Sequence, residues 1–335
     1  MSENYRQWSL TEKGRSFGTD VEILMYCAQY GALAPSTHNS QPWLCHISKD
    51  SLLVEPDFSK SLHAADPINR GLYFSLGCFV TNVRCAAATF NKELDVKIDT
   101  KKNAYFISIK LLDRKHSLAE SKDLFSFVKK RFSNKDHYLV TKIPKKLVSL
   151  MQDQHNTTRV QIFDNKKLME VFAEQYKISA KNLSGSQAFR NELSTWLRPN
   201  NTKKFDGMPG FVSNISLIPS LLGPFVIRNF GFAAKKQVDK DSQKLRMSPA
   251  VGIIYSKNNT PAEWIEAGEL YERLALIAIK NGLSMTPMAA MVEDQSGANL
   301  LAKLNTKMLP QFFYRIGYSN SGVTYHTPRR PIVFR

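Results

Sequence analysis

The chain has 335 residues, 43% hydrophobic and 22% charged, an ordinary globular balance that excludes a disordered or low-complexity protein. Its 46 basic and 29 acidic side chains give a formal net charge of +17. The lysines are scattered in pairs and carry no nucleic-acid motif, so a solvated basic surface that draws in phosphate-bearing ligands is expected, and no nucleic-acid partner.

At this length one large or two medium structural units are expected. The opening residues Met1-Ser2-Glu3-Asn4-Tyr5-Arg6 lack the apolar core of a signal peptide, so a cytoplasmic protein is expected. Cys27, Cys45, Cys78 and Cys85 show neither C-x-x-C nor zinc spacing and fit buried free thiols in a reducing compartment. Residues 1–20 read as a polar arm or short helix. Val21, Leu24, Met25, Ala28 and Leu33 recur at helical spacing, and Pro35 stops that helix near Ala34. Strands follow at Trp43–Ser48 and Leu52–Glu55, close enough to pair.

Leu72, Leu76, Phe79, Val80 and Val83 form the stripe of a long core helix running through Ala88. Strands are predicted at Leu94–Ile98 and Ala104–Leu112, the second with Ile107, Ile109 and Leu111 on one face. Near residue 115 the pattern restarts. Helices are predicted over Leu118–Lys130 (Leu124, Phe127 and Val128 inward), Leu147–Gln152, Leu168–Ser179 and Gln187–Trp196, with a strand at Arg159–Phe163. Val251–Tyr255 reads as a short buried strand, Pro261–Lys280 as a second core helix with Leu270, Leu274, Ile277 and Ala278 on one face, and Phe312–Ile316 as a late strand. The likeness of Gly71-Leu72-Tyr73 to Gly268-Glu269-Leu270-Tyr271 suggests two related α+β halves packed as a dimer would be.

No charge occurs between Gly207 and Arg228. The window is long enough to raise the question of a membrane span, but Pro209, Pro219 and Pro224 make a spanning helix poor. A buried or lid-forming loop and helix is expected, and no membrane contact; a membrane-touching surface is the alternative.

Three segments carry candidate chemistry. Pro35-Ser36-Thr37-His38-Asn39-Ser40-Gln41-Pro42-Trp43 is a polar turn whose hydroxyls, amides and backbone N–H groups suit a flat, heteroatom-rich ligand, or else simply cap the core. Arg131-Phe132-Ser133-Asn134-Lys135 sets two cations and a hydroxyl at alternate positions, as a phosphate site or an ordinary basic surface would. Leu283-Ser284-Met285-Thr286-Pro287-Met288 follows the second core helix, and Pro328-Arg329-Arg330-Pro331, in the basic tail, carries two arginines able to fork onto phosphate. Asp294 and His326 read as surface or structural residues rather than catalytic ones.

The loop Pro35-Ser36-x-x-Asn39-x-Gln41-Pro42-Trp43 resembles the flavin-facing loop of the FMN-dependent nitroreductase family, and with His38 it resembles the large single-chain, Acg-type branch. Arg131-x-Ser133-x-Lys135 is similar to the family's phosphate motif. Trp196 with Asp206-Gly207-Met208-Pro209 is similar to another Acg-type segment. The resemblance implies a nitroreductase-like fold of two halves, 1–115 and 116–335, with a lid at 200–245. It implies FMN held by Pro35, Ser36, Thr37, Asn39 and Gln41 from the first half, and by Arg131, Ser133, Lys135, Pro287, Met288, Arg329 and Arg330 from the second. NAD(P)H would be the reductant and a nitroaromatic or quinone-type small molecule the acceptor, with no side chain assigned a catalytic role. The alternative is a protein that sequesters FMN under its lid without turnover. One FMN per chain is expected, because Gln154-His155-Asn156-Thr157-Thr158 is a poor substitute for a second Pro-Ser loop. Because both halves lie in one chain, a monomer already contains the interface.

Overall fold

A computed structural model describes residues 2–11, 17–101, 104–113, 116–152, 157–319 and 326–334. The expected boundary at residue 115 and the Gln154-His155-Asn156 stretch lie outside them.

The architecture is α+β. In chain order, α1 (Asp20–Gly31) leads into the hairpin β1 (Trp43–Ser48) and β2 (Ser51–Pro56), then the long helix α2 (Arg70–Ala88) and a second hairpin, β3 (Lys92–Lys101) and β4 (Ala104–Asp113). A capping box starts α1: the Thr19 hydroxyl accepts from Glu22 N at 3.2 Å, and the Glu22 carboxylate accepts from Thr19 N at 3.1 Å. The four strands form one antiparallel sheet in the order β1-β2-β4-β3. Ile107, Ile109 and Leu111 are buried, as the alternation requires.

Helices α3 (Ala119–Val128) and α4 (Lys145–Met151) lead to β5 (Thr158–Phe163), α5 (Lys166–Gly185) and α6 (Gln187–Trp196). The short strands β6 (Leu197–Arg198) and β7 (Met208–Pro209) pair in parallel. Next come α7 (Leu217–Asn229), α8 (Gly231–Arg246), β8 (Ala250–Ser256), α9 (Pro261–Lys280), β9 (Leu283–Pro287), α10 (Ala290–Glu293), α11 (Gln295–Leu304) and β10 (Leu309–Tyr318). The second sheet is antiparallel in the order β5-β8-β10-β9. Every residue of β8 is buried, which an unbroken apolar run in a central strand demands.

Helices α2 and α9 cross at the centre of the molecule. A Cβ placed on Gly77 would stand 1.9 Å from the Ile265 carbonyl oxygen, and one on Gly268 would stand 1.9 Å from the Phe74 carbonyl oxygen. Each glycine thus lies against the carbonyl three residues before the other. Two further bonds cross the seam: Cys78 Sγ to Gly268 O at 3.3 Å and Thr81 Oγ1 to Glu269 O at 2.9 Å. The glycine matched to Gly268 in the packing is therefore Gly77 and not Gly71. Gly71 serves the start of α2 instead, where its N–H and that of Arg70 donate to the Asp66 carboxylate at 2.7 and 2.8 Å. One apolar cluster takes in α1, α2, the first sheet, α9 and the inner residues Ile254, Tyr314 and Ile316 of the second sheet.

Several expectations need correction. On α3 the buried aromatic is Phe125, with Phe127 only partly covered. The segment after α9, given no element in the sequence, is the edge strand β9. The uncharged window is not buried throughout: α7 exposes Ile218 at 73% and Phe225 at 60%. Helix α8 packs on α5, where Ser242 donates to Ala173 O at 2.9 Å and Arg246 pairs with Glu170 at 2.6 Å. Asp294 is structural, capping α11 by accepting from Ser296 N at 3.0 Å. All four cysteines are free and buried.

Candidate active site

The site is assembled from loops that the core helices and the two sheets hold in place. After α1, Asn39 N donates to Ser36 O at 2.9 Å, Ser40 N to Thr37 O at 3.0 Å, and Gln41 N to the Ser36 hydroxyl at 2.9 Å. This tight turn puts His38, Asn39 and Gln41 at φ of 53°, 57° and 53°. Asparagine tolerates that left-handed region; histidine and glutamine enter it at a cost of about 1 kcal/mol or more each.

Two other segments restrain the turn. Asn39 Nδ2 donates to Gly207 O and to Pro328 O, each at 3.0 Å, and Asn39 Oδ1 accepts from Arg329. Gln41 Nε2 donates to Phe205 O at 2.8 Å, while its Oε1 accepts from Arg330 N at 2.7 Å. The Arg330 guanidinium donates to Gln41 O at 2.9 Å and to Ser40 O. Arg329 also reaches Leu33 O at 3.1 Å and Ala34 O at 3.3 Å. The C-terminal arginines therefore clamp the Pro35 loop.

A cavity of about 280 Å³ opens beside this clamp. Its wall includes Pro35, Ser36, Thr37, His38 and Asn39 from the loop, Arg131, Ser133 and Lys135 from the stretch after α3, Pro287 at the end of β9, and Arg329. Of the residues singled out in the sequence, Gln41, Met288 and Arg330 do not line it. Gln41 and Arg330 hold the loop from behind, and Met288 is buried in a second apolar cluster with Phe172 and Phe313.

The cavity is electrostatically uneven. Arg131 Nε lies 3.1 Å from the Glu272 carboxylate, and both side chains are buried. With its amide nitrogen turned toward Glu272, Asn82 donates to the same carboxylate at 3.1 Å and accepts from Ala34 N at 3.2 Å. Burial raises the Glu272 carboxyl to about 7, against the pull of Arg131 and Arg329. Burial and the neighbouring Arg131 charge bring Arg329 down to about 9. Two guanidiniums thus share one buried carboxylate.

Lys135 adds a third cation. Its Nζ lies 3.4 Å from the Ser213 hydroxyl, and it has no ion-pair partner among the described residues. Burial lowers its pKa against the pull of Asp241, and Lys244 and Arg315 lower it further. His38 is brought to about 4 by burial and then by Lys135, so it is a neutral imidazole near pH 7, with its buried Nε2 unpartnered. Across the wall, burial raises Glu293 to about 7 despite Arg70. The apolar part is aromatic: Phe74 stacks on Phe312 at 4.2 Å, and Tyr271 meets Phe312 edge-on at 4.7 Å. This arrangement suits a flat, partly apolar ligand with an anionic end.

Sequence reasoning missed Phe74, Tyr271, Glu272, Glu293 and Phe312; His38 lay in the quoted loop without a role of its own, and Met208 and Val212 lay in the expected 200–245 lid. Phe74 and Tyr271 lie on helices read only as core. Glu272 had a visible signal, a carboxylate between the inward Leu270 and Leu274.

A second cavity, about 820 Å³, lies between the C-terminal half of α2 and α9. Four carboxylates face it against two guanidiniums: Glu269 pairs with Arg84 and Glu120 with Arg273, each at 2.9 Å, while Glu263 and Glu266 accept from backbone N–H groups. That balance repels a phosphate.

No protein-family model matches the chain, and no curated protein matches it. Among solved structures, it is similar to iodotyrosine deiodinase bound to FMN and 3-iodo-L-tyrosine, with 14% identity over 63% of this chain and 97% of that one, and a TM-score of 0.37. It is similar to an FMN- and NADPH-dependent nitroreductase, NfnB, from Sphigopyxis sp. strain HMH, with 11% identity over 62% and 95% and a TM-score of 0.39. It is also similar to the FMN-dependent nitroreductase NfnB from Mycobacterium smegmatis in complex with NADPH, with 10% identity over 59% and 88% and a TM-score of 0.36.

Proposed function

We propose that this cavity holds one FMN and that the protein is a nitroreductase-like flavin oxidoreductase of the Acg type. NAD(P)H would serve as reductant and a nitroaromatic or quinone-type small molecule as acceptor. The observation that carries the reading is the meeting of the Pro35–Asn39 loop, the Arg131-x-Ser133-x-Lys135 stretch and Arg329 around a single cavity. Bound there, FMN would supply hydride transfer, which no side chain provides.

The chain's own residues fit such a group. Lys135, which lacks an ion-pair partner among the described residues, and Arg131 would face a phosphate. Ser133 and Thr37 offer hydroxyls on the same wall. The neutral His38 leaves its Nε2 free to accept or donate one hydrogen bond. Asn39, Gln41 and Arg330 act by holding the loop, since their polar groups already bond to the chain. The reciprocal packing of Gly77 and Gly268 favours an internal duplication, divided near residue 115, in which a single chain supplies both halves of the interface. The acidic lining of the second cavity favours one flavin per chain. A reducing, cytoplasmic setting fits the four buried thiols.

The second reading is FMN sequestration without turnover. It is favoured by Met208 and Val212, which bring the 200–245 segment onto the cavity wall. Anaerobic mixing of the flavin-loaded protein with NADH or NADPH separates the two. Rapid bleaching, with reoxidation by a quinone over many cycles, supports the enzyme; slow or absent bleaching supports sequestration. Failure to retain flavin after reconstitution removes both.

A further inference from the structure

Between Asp206 and Asp239 the chain has no acidic residue, but it carries Arg228, Lys235 and Lys236. Helix α7 lies inside this stretch. Leu217, Ile218, Leu221, Leu222 and Phe225 are exposed by 46%, 73%, 51%, 58% and 60%. At helical spacing they fall within an arc of roughly 140°, and Arg228 lies on the same arc at the C-terminal end. The opposite side is anchored: Ser220 is buried and accepts from Asn200 N at 3.0 Å, and Gln187 of α6 donates to Arg228 O at 2.9 Å. The apolar stripe is thus a fixed outer face of the molecule, of the kind that marks an interaction surface.

We propose that this face of α7 docks in the headgroup region of an anionic lipid bilayer. Its 13 residues span about 20 Å, shorter than the roughly 20 apolar residues a crossing needs. No single helix among the described residues is long and apolar enough to cross a membrane. A helix with an apolar face and cations at its edge lies in the interface plane instead. Lys203, Lys204, Arg228, Lys235 and Lys236 are all exposed, and they complement anionic headgroups. A second copy of the chain is the poorer occupant. A two-fold contact through α7 would bring Arg228, Lys235 and Lys236 together with their copies, with no carboxylate between Asp206 and Asp239 to offset them. Met208 and Val212, on the cavity wall, belong to the stretch that leads into this helix.

The test is co-sedimentation of the full chain with phosphatidylcholine vesicles, with and without phosphatidylglycerol. Binding to the anionic vesicles is expected, weakening as salt is raised. The pair Leu222→Asp and Phe225→Asp should weaken it about tenfold or more. Val140→Asp, at another apolar side chain 76% exposed, should leave it intact. Because the native thiols are buried, Leu222→Cys carrying an environment-sensitive dye should shift to the blue on vesicle binding. The proposal is overturned by absence of binding to anionic vesicles, by equal binding of the double variant, by an unshifted dye, or by a concentration-dependent dimer that dissolves on Leu222→Asp. None of these readouts involves flavin, so they stand apart from the fate of the cavity assignment.

Discussion

The crossing of α2 and α9 makes a demand that can be measured. An alanine at Gly77 would put its Cβ 1.9 Å from the Ile265 carbonyl oxygen, where real contacts essentially never fall below 3.0 Å. The axes would have to part by about 1.1 Å, because backbone cannot turn aside as a side chain can. A gap of that size forfeits a quarter to a half of each flanking dispersion contact. Ordinary overpacking costs about 1–3 kcal/mol, and this obstruction is more rigid, so a loss of about 3–5 kcal/mol is expected. The intrinsic gain of alanine over glycine within a helix, about 0.5–1 kcal/mol, offsets little of it. The assay is urea unfolding followed by circular dichroism, with Gly223→Ala as control. Gly223 lies within α7 with nothing within 4 Å of an added Cβ, so that variant should be neutral or slightly stabilised. Gly268→Ala obstructs the same seam, so the double variant should cost much less than the sum of the singles. If Gly77→Ala unfolds within about 1 kcal/mol of Gly223→Ala, the close-crossing argument is refuted.

Three further outcomes follow from the buried charges and thiols. Burial raises Glu272 and Glu293 from 4.5 to about 7, so between those values the folded chain keeps protons that the unfolded chain has released. Their contribution is complete below about pH 4.5 and is lost as pH rises through about 7, by at most about 1.4 kcal/mol per pH unit for each group. Glu272→Gln should therefore flatten the fall in unfolding free energy across that window, and Glu293→Gln the remainder. Arg329→Ala strips donors from Asn39, Leu33 and Ala34. It should cost about 3 kcal/mol and speed amide exchange in residues 36–41. Burial pushes Cys45 and Cys85 up to about 12, with Cys27 and Cys78 also raised, so none of the four thiols should react with a disulfide reagent until the protein is unfolded.

The sequence disclosed the frame of the molecule unevenly, for physical reasons. Helices α2 and α9 were legible because each carries a long apolar stripe, and the β3–β4 hairpin because Ile107, Ile109 and Leu111 alternate with polar residues. Helix α8 was not, since among its described side chains only Ala234, Val238 and Leu245 are strongly buried hydrophobics, too sparse a stripe to stand out. Strand β9 hid behind serine, threonine and proline. At the site, the Pro35 loop and the Arg131-x-Ser133-x-Lys135 stretch declared themselves by residue type. What they bond to did not. Arg131 faces Glu272, 141 positions away in the chain, and nothing local marks that pairing. The left-handed angles at His38 and Gln41 belong to a turn that the Arg329–Arg330 clamp holds from outside, a tertiary contact on residues that would not choose those angles alone.

The cavity assignment is tested most directly by titrating the purified chain with FMN and reading stoichiometry and affinity from flavin fluorescence. The account predicts one FMN per chain, with affinity reduced about tenfold or more in Lys135→Ala through loss of a charge-assisted contact to phosphate. Absence of saturable binding, two equivalents per chain, or an affinity unmoved by Lys135→Ala would contradict it.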